Sequence, residues 1–308
     1  MLTLFTIPKA FKGHINVIQR NALQSWMRVH PEIEIILFGS DEGTAEAARE
    51  FGLRHEPQVE RNEYGTILLH GVFAKAQQMA RYGVVCYVNC DILLLEDFRA
   101  AVGRVSAAHE EFLMVGQRTD VELRNAWPYE RATWQGELRE FAARQGKLRP
   151  PNWIDYFAFT RGLYGADVPA FAIGRTCWDD WLVWKALREG KAVVDATAVV
   201  LAVHQNHDYQ HHPQGEAGVW KGIEAGRNAQ LAGGWGHLRT IAHASEILDA
   251  AGLRPNRARY WAEAKRRCQA VGRYLWYDVW QPVSFAVMNW TRPLRTALGM
   301  RTEPRSRP

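Results

Sequence analysis

An amide and a carboxylate, Asn89 and Asp91, interrupt an apolar run in the segment YVNCDILLLEDF. The residues before them, GVVCYV, have the composition of a buried strand, and the apolar run ILLL follows directly. An ionised carboxylate is costly to bury, so it requires a charged partner, a metal ion or solvent. Carboxylate oxygens suit Mg²⁺ and Mn²⁺, and Mn²⁺ also accepts an imidazole. The segment therefore predicts a polar site at a strand end, where Asp91 meets a charged partner, a metal ion or solvent.

The segment HQNHDYQHH begins with His204, which directly follows the apolar run VVLAV. His207 and Asp208 come shortly after it. Imidazole nitrogens are common metal ligands, so this run of histidines first suggests a metal site. A zinc site is an alternative, but His-x-x-His without a third ligand at a fixed spacing is not typical of structural zinc motifs. Polar loop residues after a strand are the remaining alternative.

Two adjacent acids, Asp179 and Asp180, stand at the predicted start of a helix in TCWDDWLVW. A helix N-terminus favours a carboxylate, so one of the two acids is explained as a cap. The other requires a second explanation. Asp155, in NWIDYF, is a further acid beside the aromatic residues Trp153 and Tyr156, which are either a stacking platform for a ligand or part of the core.

Strands and helices alternate along the chain, which is typical of a layered α/β sheet. Strands are predicted at LTLFTI, IEIILFG, VVCYVN, FLMVG and DYFAFT, with a pair of strands in AVVDATAVVLAV. Helices are predicted over His14 to His30, SDEGTAEAAREFG, Thr66 to Arg81, Arg131 to Gln145 and WDDWLVWKALREG.

Polar clusters follow several of these strands, and ligands of open α/β sheets bind outside the carboxyl ends of the strands. The clusters are Thr6 to Lys9, Gly39 to Asp41, Asn89 to Asp91, Gln117 with Arg118, and His204 to Asp208. They predict a shared site, although strand ends are also where loops ordinarily become polar.

The composition of the 308 residues, with 47% hydrophobic and 23% charged, predicts a globular protein of one large or two ordinary domains. Neither GxxxxGK[ST], GxGxxG nor GxSxG occurs, which argues against a P-loop kinase, a Rossmann dehydrogenase and an α/β-hydrolase. The main body has no basic stripe with interleaved aromatics, so we do not expect nucleic acid as a partner. Four cysteines without CxxC spacing favour reduced thiols and a cytoplasmic location.

The ordered motifs NCD, DYFAFTRGLY, AFAIGRTCWDDWLVWKAL and VVDATAVVLAVHQNHDYQHH resemble those of uncharacterised bacterial glycosyltransferase-like proteins of the GT-A fold. The resemblance covers about residues 1–215. It implies a layered α/β/α sheet in a catalytic domain over residues 1–245. Within it, a Rossmann-like nucleotide-sugar half spans about residues 1–118 and an acceptor half residues 119–245. A helical C-terminal extension occupies residues 246–308.

The same resemblance implies an activity: a hexosyltransferase-like enzyme that moves a sugar from a nucleotide-sugar, in particular a UDP-sugar, to an acceptor. The acceptor would be a glycan or a lipid-linked molecule in cell-envelope polysaccharide synthesis. A divalent cation, Mn²⁺ or Mg²⁺, would stabilise the leaving diphosphate. Asn89 stands where the family usually has an acid, which removes one charge from the metal site and weakens the case for a required metal.

Residue roles follow from this resemblance. The positions implied for the nucleotide-sugar are Thr6, Ile7, Asp41, Lys75, Asn89, Asp91 and Arg118; for the metal, Asp91, Asn89, His204 and His207; for catalysis, Asp179, Asp180 and Asp155. Among the acids, Asp179 is favoured over Asp180 as the base or acceptor anchor, since a base must be ionised within reach of the acceptor hydroxyl.

Two other functions remain open from the sequence. A sugar nucleotidyltransferase shares the α/β layering, but it would need a glycine-rich basic first loop, and FTIPKAFKGH contains only Gly13. A non-catalytic carbohydrate-binding or scaffold protein with a degenerate GT-A fold would explain the NCD motif. The oligomeric state is not indicated.

The C-terminal segment differs in charge from the rest of the chain. Residues 252–308 contain 12 Lys and Arg against 3 Asp and Glu, a net charge of +9, whereas residues 1–251 carry 26 against 30, or −4. Basic residues flank the aromatic stretch YLWYDVWQPVSFAVMNW, in which Pro282 should break a single helix. This pattern predicts peripheral attachment to the anionic inner face of the membrane. The alternative is that the aromatics pack on the catalytic domain or on a second subunit.

Overall fold

The computed structural model describes residues 1–207 and 220–274, together with residues 276, 280 and 283. The chain forms two compact units, Met1–Arg259 and Tyr260–Pro308. The first unit is a mixed α/β domain, which confirms the predicted fold class.

The strands lie at β1 (Leu2–Thr6), β2 (Glu34–Phe38), β3 (Arg54–Glu56), β4 (Val84–Val88), β5 (Ile92–Leu93), β6 (Phe112–Val115), β7 (Arg118–Val121), β8 (Lys147–Leu148), β9 (Tyr156–Thr160), β10 (Ala192–Asp195), β11 (Ala202–Gln205), β12 (Glu246–Asp249) and β13 (Gly252–Pro255). The α-helices of the described residues are α1 (Gly13–Val29), α2 (Thr44–Phe51), α3 (Leu69–Met79), α4 (Glu96–Ala108), α5 (Trp134–Gln145), α6 (Trp178–Arg188), α7 (Ile223–Leu231) and α8 (Arg259–Tyr274).

Nine strands form the large sheet, in the order β3-β2-β1-β4-β9-β6-β10-β12-β13. Only β9 and β13 run antiparallel to the others. The central strands are nearly continuous apolar runs because helices cover both faces, as parallel sheets require. Helices α1, α2, α4 and α5 pack with Leu4 on one face, and α3 and α6 pack with Phe5 on the other. The order β3-β2-β1-β4 matches the predicted Rossmann-like half.

Helix α1 shows how the apolar spacing becomes a packed element. Its predicted face, at Ile18, Ala22, Trp26 and Val29, is buried against the sheet. The indole Nε1 of Trp26 donates to the backbone carbonyl of Ile92 at 2.8 Å, which ties α1 to the segment after Asp91. Replacing a buried tryptophan by alanine costs about 3–5 kcal/mol, so α1 fixes the position of this segment.

The pairing expected within AVVDATAVVLAV is wrong. Strand β10 pairs with β6 and β12 in the large sheet, whereas β11 belongs to a second sheet of four strands in the order β5-β11-β7-β8. The Asp195 carboxylate accepts a hydrogen bond from the backbone N–H of Thr197 at 2.9 Å and turns the chain after β10. Strands β10 and β11 therefore belong to different sheets.

The expected boundary at residue 245 is also displaced. Strand β12 pairs in parallel with β10, and β13 returns antiparallel to β12, so residues 246–255 complete the large sheet. The backbone groups of residues 246–255 are hydrogen-bonded within the sheet. These residues therefore belong to the first unit, which ends at Arg259. The two functional halves, divided at residue 118, share this sheet, and their separate roles stay a prediction.

Of the expected helical extension over residues 246–308, the structure shows a helix over α8, whereas residues 246–255 are strands of the large sheet. The aromatic stretch beyond Tyr274, including Pro282, lies outside the described residues except for positions 276, 280 and 283. Among the helices described, none has the length and apolar character needed to cross a bilayer.

Candidate functional site

A cleft of about 700 Å³ opens at the carboxyl ends of the parallel strands. Each of the predicted strand-end clusters contributes at least one residue to its lining, namely Ile7, Pro8 and Lys9, Asp41, Asn89 to Asp91, Arg118, and His204 with His207. Asp155 joins them because β9 runs antiparallel, so the start of that strand lies at the same edge as the ends of its neighbours.

Asp91, His204 and His207 bring potential metal ligands together within the described part of the chain. One oxygen or nitrogen from each lies within 4.8 Å of the others. Asp91 Oδ2 is 3.1 Å from His207 Nε2 and 3.9 Å from His204 Nε2. The second oxygen, Oδ1, is buried without a hydrogen-bond partner among the described residues. A carboxylate and two imidazoles with a spare buried oxygen fit Mn²⁺ or another divalent ion.

The surroundings keep Asp91 ionised. Burial alone would raise the pKa of this carboxyl, but the hydrogen bond from His207 and the positive charges of His204 and Lys9 outweigh it. The net effect is a pKa well below the ordinary value. The aspartate is therefore held as an anion, the form in which it binds a cation.

The small sheet positions His204, which lies inside β11 and not after it, as the sequence had suggested. In the strand register, His204 is opposite Asp120 of β7 and Ile92 of β5. Its Nδ1 lies 3.1 Å from Asp120 Oδ1, while its Nε2 faces Asp91. His204 Nδ1 makes no hydrogen bond among the described residues, so Asp120 lies beside the imidazole ring as a charged neighbour.

Arg118 lines the cleft and is held there by two carboxylates. Its Nε donates to Asp120 Oδ1 at 2.9 Å and its Nη1 donates to Asp155 Oδ2 at 2.9 Å. The guanidinium is almost fully buried. Arg118 thus bridges Asp120 and Asp155, and its role as a direct diphosphate contact stays a prediction.

Asn89 completes this bridge. Its amide Nδ2 donates to Asp155 Oδ1 at 2.6 Å, and its Oδ1 accepts the hydroxyl of Tyr87 at 2.9 Å. Both ends of the amide therefore have protein partners. Asn89 lines the cleft, but the structure gives it the role of positioning Asp155, and its assignment as a metal ligand stays a prediction.

Of the two aromatics suggested as a stacking platform, only Trp153 lines the cleft. Its ring lies under the guanidinium groups of Arg118, at 4.6 Å, and Arg149, at 4.9 Å. Tyr156 is fully buried and packs edge-on against Phe98 with ring centroids 5.5 Å apart. Tyr156 is thus a core residue.

Some of the residues expected to bind the nucleotide line the cleft and others do not. Ile7 and Asp41 line the cleft, and Asp41 Oδ2 accepts a hydrogen bond from Arg61 at 3.2 Å. Thr6 is fully buried at the end of β1 and does not line the cleft. Lys75 is also absent from the lining, because its ammonium binds the Gln58 carbonyl and lies 3.3 Å from Glu56.

Asp179 and Asp180 begin α6 directly after Trp178, which lines the cleft, but neither acid belongs to the lining itself. Burial raises the pKa of Asp179 to about 6, and the charge of Asp155 adds to this shift. Burial and the neighbouring Asp179 raise the pKa of Asp180 well above its ordinary value. Asp180 Oδ1 is buried with no hydrogen-bond partner among the described residues. The pair is therefore poorly explained as a simple cap.

Sequence reasoning missed several residues of the site, among them Lys9, Gln19, Asp120 and Arg149. Lys9 stood in a strand-end cluster but was not singled out, and Asp120 shares a strand face with Arg118, two residues away. Gln19 and Arg149 gave no signal, because their roles depend on long-range contacts. Asp208, His211 and His212 lie outside the described residues.

No protein-family model and no curated protein matches the chain. Solved structures similar to it include glucosyl-3-phosphoglycerate synthase from Mycobacterium tuberculosis, at 12% identity and a TM-score of 0.44, covering 76% of this chain and 81% of that one. The same enzyme in complex with Mn²⁺, UDP and phosphoglyceric acid has 13% identity and a TM-score of 0.41, covering 67% and 71%. TarS from S. aureus in complex with UDP-GlcNAc has 14% identity and a TM-score of 0.29, covering 41% and 37%.

Proposed function

We propose that the protein is a glycosyltransferase that moves a sugar from a nucleotide-sugar, in particular a UDP-sugar, with the help of a divalent cation. The observation that carries this proposal is the convergence of Asp91, His204 and His207 at the edge of a nucleotide-sized cleft. A divalent cation bound there would supply charge stabilisation for the leaving diphosphate.

The acids around the cleft suggest how the donor sugar is held. Asp155 is fixed by Asn89 on one oxygen and by Arg118 on the other, so its remaining lone pairs have defined directions. A carboxylate held in this way is suited to accept hydrogen bonds from sugar hydroxyls. Trp153 lines the cleft beside it, with the guanidinium groups of Arg118 and Arg149 over its ring.

Asp179 is our candidate base. In the transfer, the acceptor oxygen forms a bond to the anomeric carbon, the bond from that carbon to the diphosphate breaks, and the acceptor proton passes to a carboxylate. With a pKa of about 6, Asp179 is ionised at neutral pH yet basic enough to accept this proton. Asp155 is the alternative, since it lines the cleft.

A donor screen tests the proposal. Purified protein is incubated with a panel of nucleotide-sugars, with Mn²⁺ or with EDTA, and release of nucleoside diphosphate is measured. We expect hydrolysis or transfer from one donor, increased by Mn²⁺. Formation of nucleotide-sugar from a sugar phosphate and a nucleoside triphosphate would instead identify a sugar nucleotidyltransferase. Sugar binding without turnover of any donor would identify a degenerate, non-catalytic protein.

We further propose a lipid-linked or glycan acceptor of the cell envelope, reached at the inner face of the membrane. Support comes from α8, which carries Arg259, Lys265, Arg266 and Arg267. Its Trp261 is 81% exposed. Basic residues near an anionic surface each contribute about 1 kcal/mol, and aromatic rings favour the headgroup zone.

Flotation with liposomes tests this attachment. Full-length protein should float with anionic vesicles at low salt, less at high salt, and not with neutral vesicles. Trp261→Ser should weaken flotation, whereas the control Trp235→Ser, which changes an exposed tryptophan of the first unit, should not. Absence of flotation with anionic vesicles at low salt would make the extension a packing or oligomerisation element.

A further inference from the structure

Lys9 occupies the cleft immediately beside the candidate metal ligands. It follows β1 in the loop Ile7 to Ala10, all of which lines the cleft. Its ammonium Nζ lies 3.2 Å from His207 Nε2. A second lysine, Lys12, directly precedes α1, but its side chain is 65% exposed and pairs with Glu42. The two lysines are close in sequence and differ in what they face.

The backbone of Lys9 is held by a buried glutamine of α1. The side-chain Oε1 of Gln19 accepts the N–H of Lys9 at 2.7 Å, and its Nε2 donates to the carbonyl of Lys9 at 2.9 Å. Gln19 itself is 2% exposed. The side-chain amide of Gln19 therefore hydrogen-bonds both the N–H and the carbonyl of Lys9. This fixes the direction in which the lysine side chain leaves the loop.

The charges around the ammonium are both positive and negative. Asp91 and Asp155 attract it, and Arg118 repels it. His207 Nε2 stands between two groups, 3.2 Å from Lys9 Nζ and 3.1 Å from Asp91 Oδ2. A single ring nitrogen cannot accept a proton from the ammonium and donate one to the carboxylate at the same time.

A divalent ion on Asp91 and His207 would use the lone pair of that same nitrogen. The ion and the ammonium would then be two positive charges within a few ångström of one carboxylate. Like charges so close repel strongly in a partly buried site, so the ammonium must move away when the ion binds. An anionic ligand in the cleft gives the displaced ammonium a new partner.

We propose that Lys9 is a second, built-in cation of this site, which competes with the divalent ion for Asp91 and His207 and pairs with the diphosphate of the bound nucleotide. The diphosphate part of this inference rests on the proposed function. The competition with the ion concerns only residues of this chain and does not depend on which reaction is catalysed.

Binding measurements on full-length protein test the inference, with Lys9→Met as the main variant. Lys9→Met keeps an unbranched apolar chain and removes the charge, Lys9→Arg keeps the charge, and Lys12→Met is the matched control. Mn²⁺ affinity is measured without nucleotide by electron paramagnetic resonance. The affinities for UDP and for inorganic pyrophosphate are measured by calorimetry in EDTA. Circular dichroism and thermal unfolding verify that each variant is folded.

We expect Lys9→Met to bind Mn²⁺ about tenfold more tightly, because a competing charge is gone. In EDTA it should bind UDP and pyrophosphate roughly ten- to a hundredfold more weakly, as the loss of a charged hydrogen bond implies. Lys9→Arg should bind both probes like the unmodified protein, and Lys12→Met should match it in every measurement.

Two results would overturn the inference: Mn²⁺ affinity that is unchanged or weaker in Lys9→Met, or UDP and pyrophosphate affinities in EDTA that do not respond to it. If the unmodified protein binds UDP neither with Mn²⁺ nor in EDTA, the proposed function fails. The Mn²⁺ measurement then still decides whether Lys9 competes for the metal ligands.

Discussion

Asp91 and Asp179 are both aspartates shielded from solvent near the same cleft, yet their surroundings shift their pKa values in opposite directions. Burial raises both, but at Asp91 two histidines and Lys9 more than reverse the effect. Asp179 has the negatively charged Asp155 nearby, and its pKa stays raised, at about 6. The backbone N–H groups at the start of α6 offset this only in part.

The difference assigns distinct chemistry to two residues of the same type. A carboxylate with a strongly lowered pKa holds its charge and binds cations, but it is a poor proton acceptor. A carboxylate with a pKa near neutrality exchanges protons readily. Environments that push two acids apart in pKa are a feature of enzymes that need both an anion and a base.

The largest expected effect comes from removing the anion. Asp91→Ala should lower transfer by about a thousandfold, the scale found when a charge-stabilising group is lost. It should also abolish Mn²⁺ binding, because His204 and His207 alone leave no anionic ligand. Donor turnover and Mn²⁺ titration measure the two effects. The control Asp167→Ala removes an exposed acid paired with Lys185 and should leave both unchanged. Normal turnover in Asp91→Ala would remove this residue from the site.

The base should produce the next largest effect. Asp179→Asn should lower kcat about a hundredfold with donor affinity nearly unchanged, as loss of a general base implies. Because the ionised form is the active one, kcat/KM should rise with pH through about 6 and level off above it. That acidic limb should be absent in Asp179→Asn.

The matched variant Asp180→Asn should keep most of the activity, since burial and the neighbouring Asp179 raise the pKa of Asp180 well above its ordinary value and make it the poorer candidate for an ionised base. A drop in thermal stability with unchanged turnover in Asp179→Asn would show that this acid is only a helix cap. If the acidic limb of kcat/KM is lost in Asp155→Asn but retained in Asp179→Asn, Asp155 is the base and Asp179 is not.

The motif and the structure predict different effects for the variant Asn89→Asp. From the motif alone, a second acid should tighten Mn²⁺ binding. In the structure the Asn89 amide donates to Asp155 at 2.6 Å, so an aspartate would place two carboxylates in contact. We therefore expect a loss of about 1–3 kcal/mol in the free energy of unfolding and weaker activity. Chemical denaturation measures the unfolding free energy, and Mn²⁺ titration measures the affinity for the ion. Tighter Mn²⁺ binding at full stability would mean that residue 89 faces the ion.

Lys75 should give the smallest effect. Its ammonium is occupied by Glu56 and the Gln58 carbonyl, away from the cleft lining. Surface ion pairs are worth about 0–1 kcal/mol, so Lys75→Met should change the unfolding free energy within that range. UDP affinity should stay within about twofold, as expected for a side chain without ligand contact. A large loss of UDP affinity would mean that Lys75 reaches the ligand.

The sequence by itself determined several of the elements and the edge of the sheet at which polar residues gather, but it did not predict α4 or short strands such as β5 and β7. Alternating apolar strands and amphipathic helices are local patterns of period 2 and 3.6, and they were sufficient to predict β1, β4, α1 and α6. A carboxylate directly after a buried strand, such as Asp91, is also a local signal. For that reason the strand-end clusters could be recognised before any contact was known.

Only the tertiary structure decided which of these residues meet. The antiparallel direction of β9 brings Asp155 to the cleft, and the register of β11 with β7 places Asp120 behind His204. Strand direction and register depend on pairing between segments far apart in the chain, and a local pattern does not contain them. For the same reason the sequence did not single out Lys9 but did single out Lys75. Only long-range packing shows that the backbone of Lys9 is held by Gln19 in the cleft, whereas the ammonium of Lys75 is bound to Glu56.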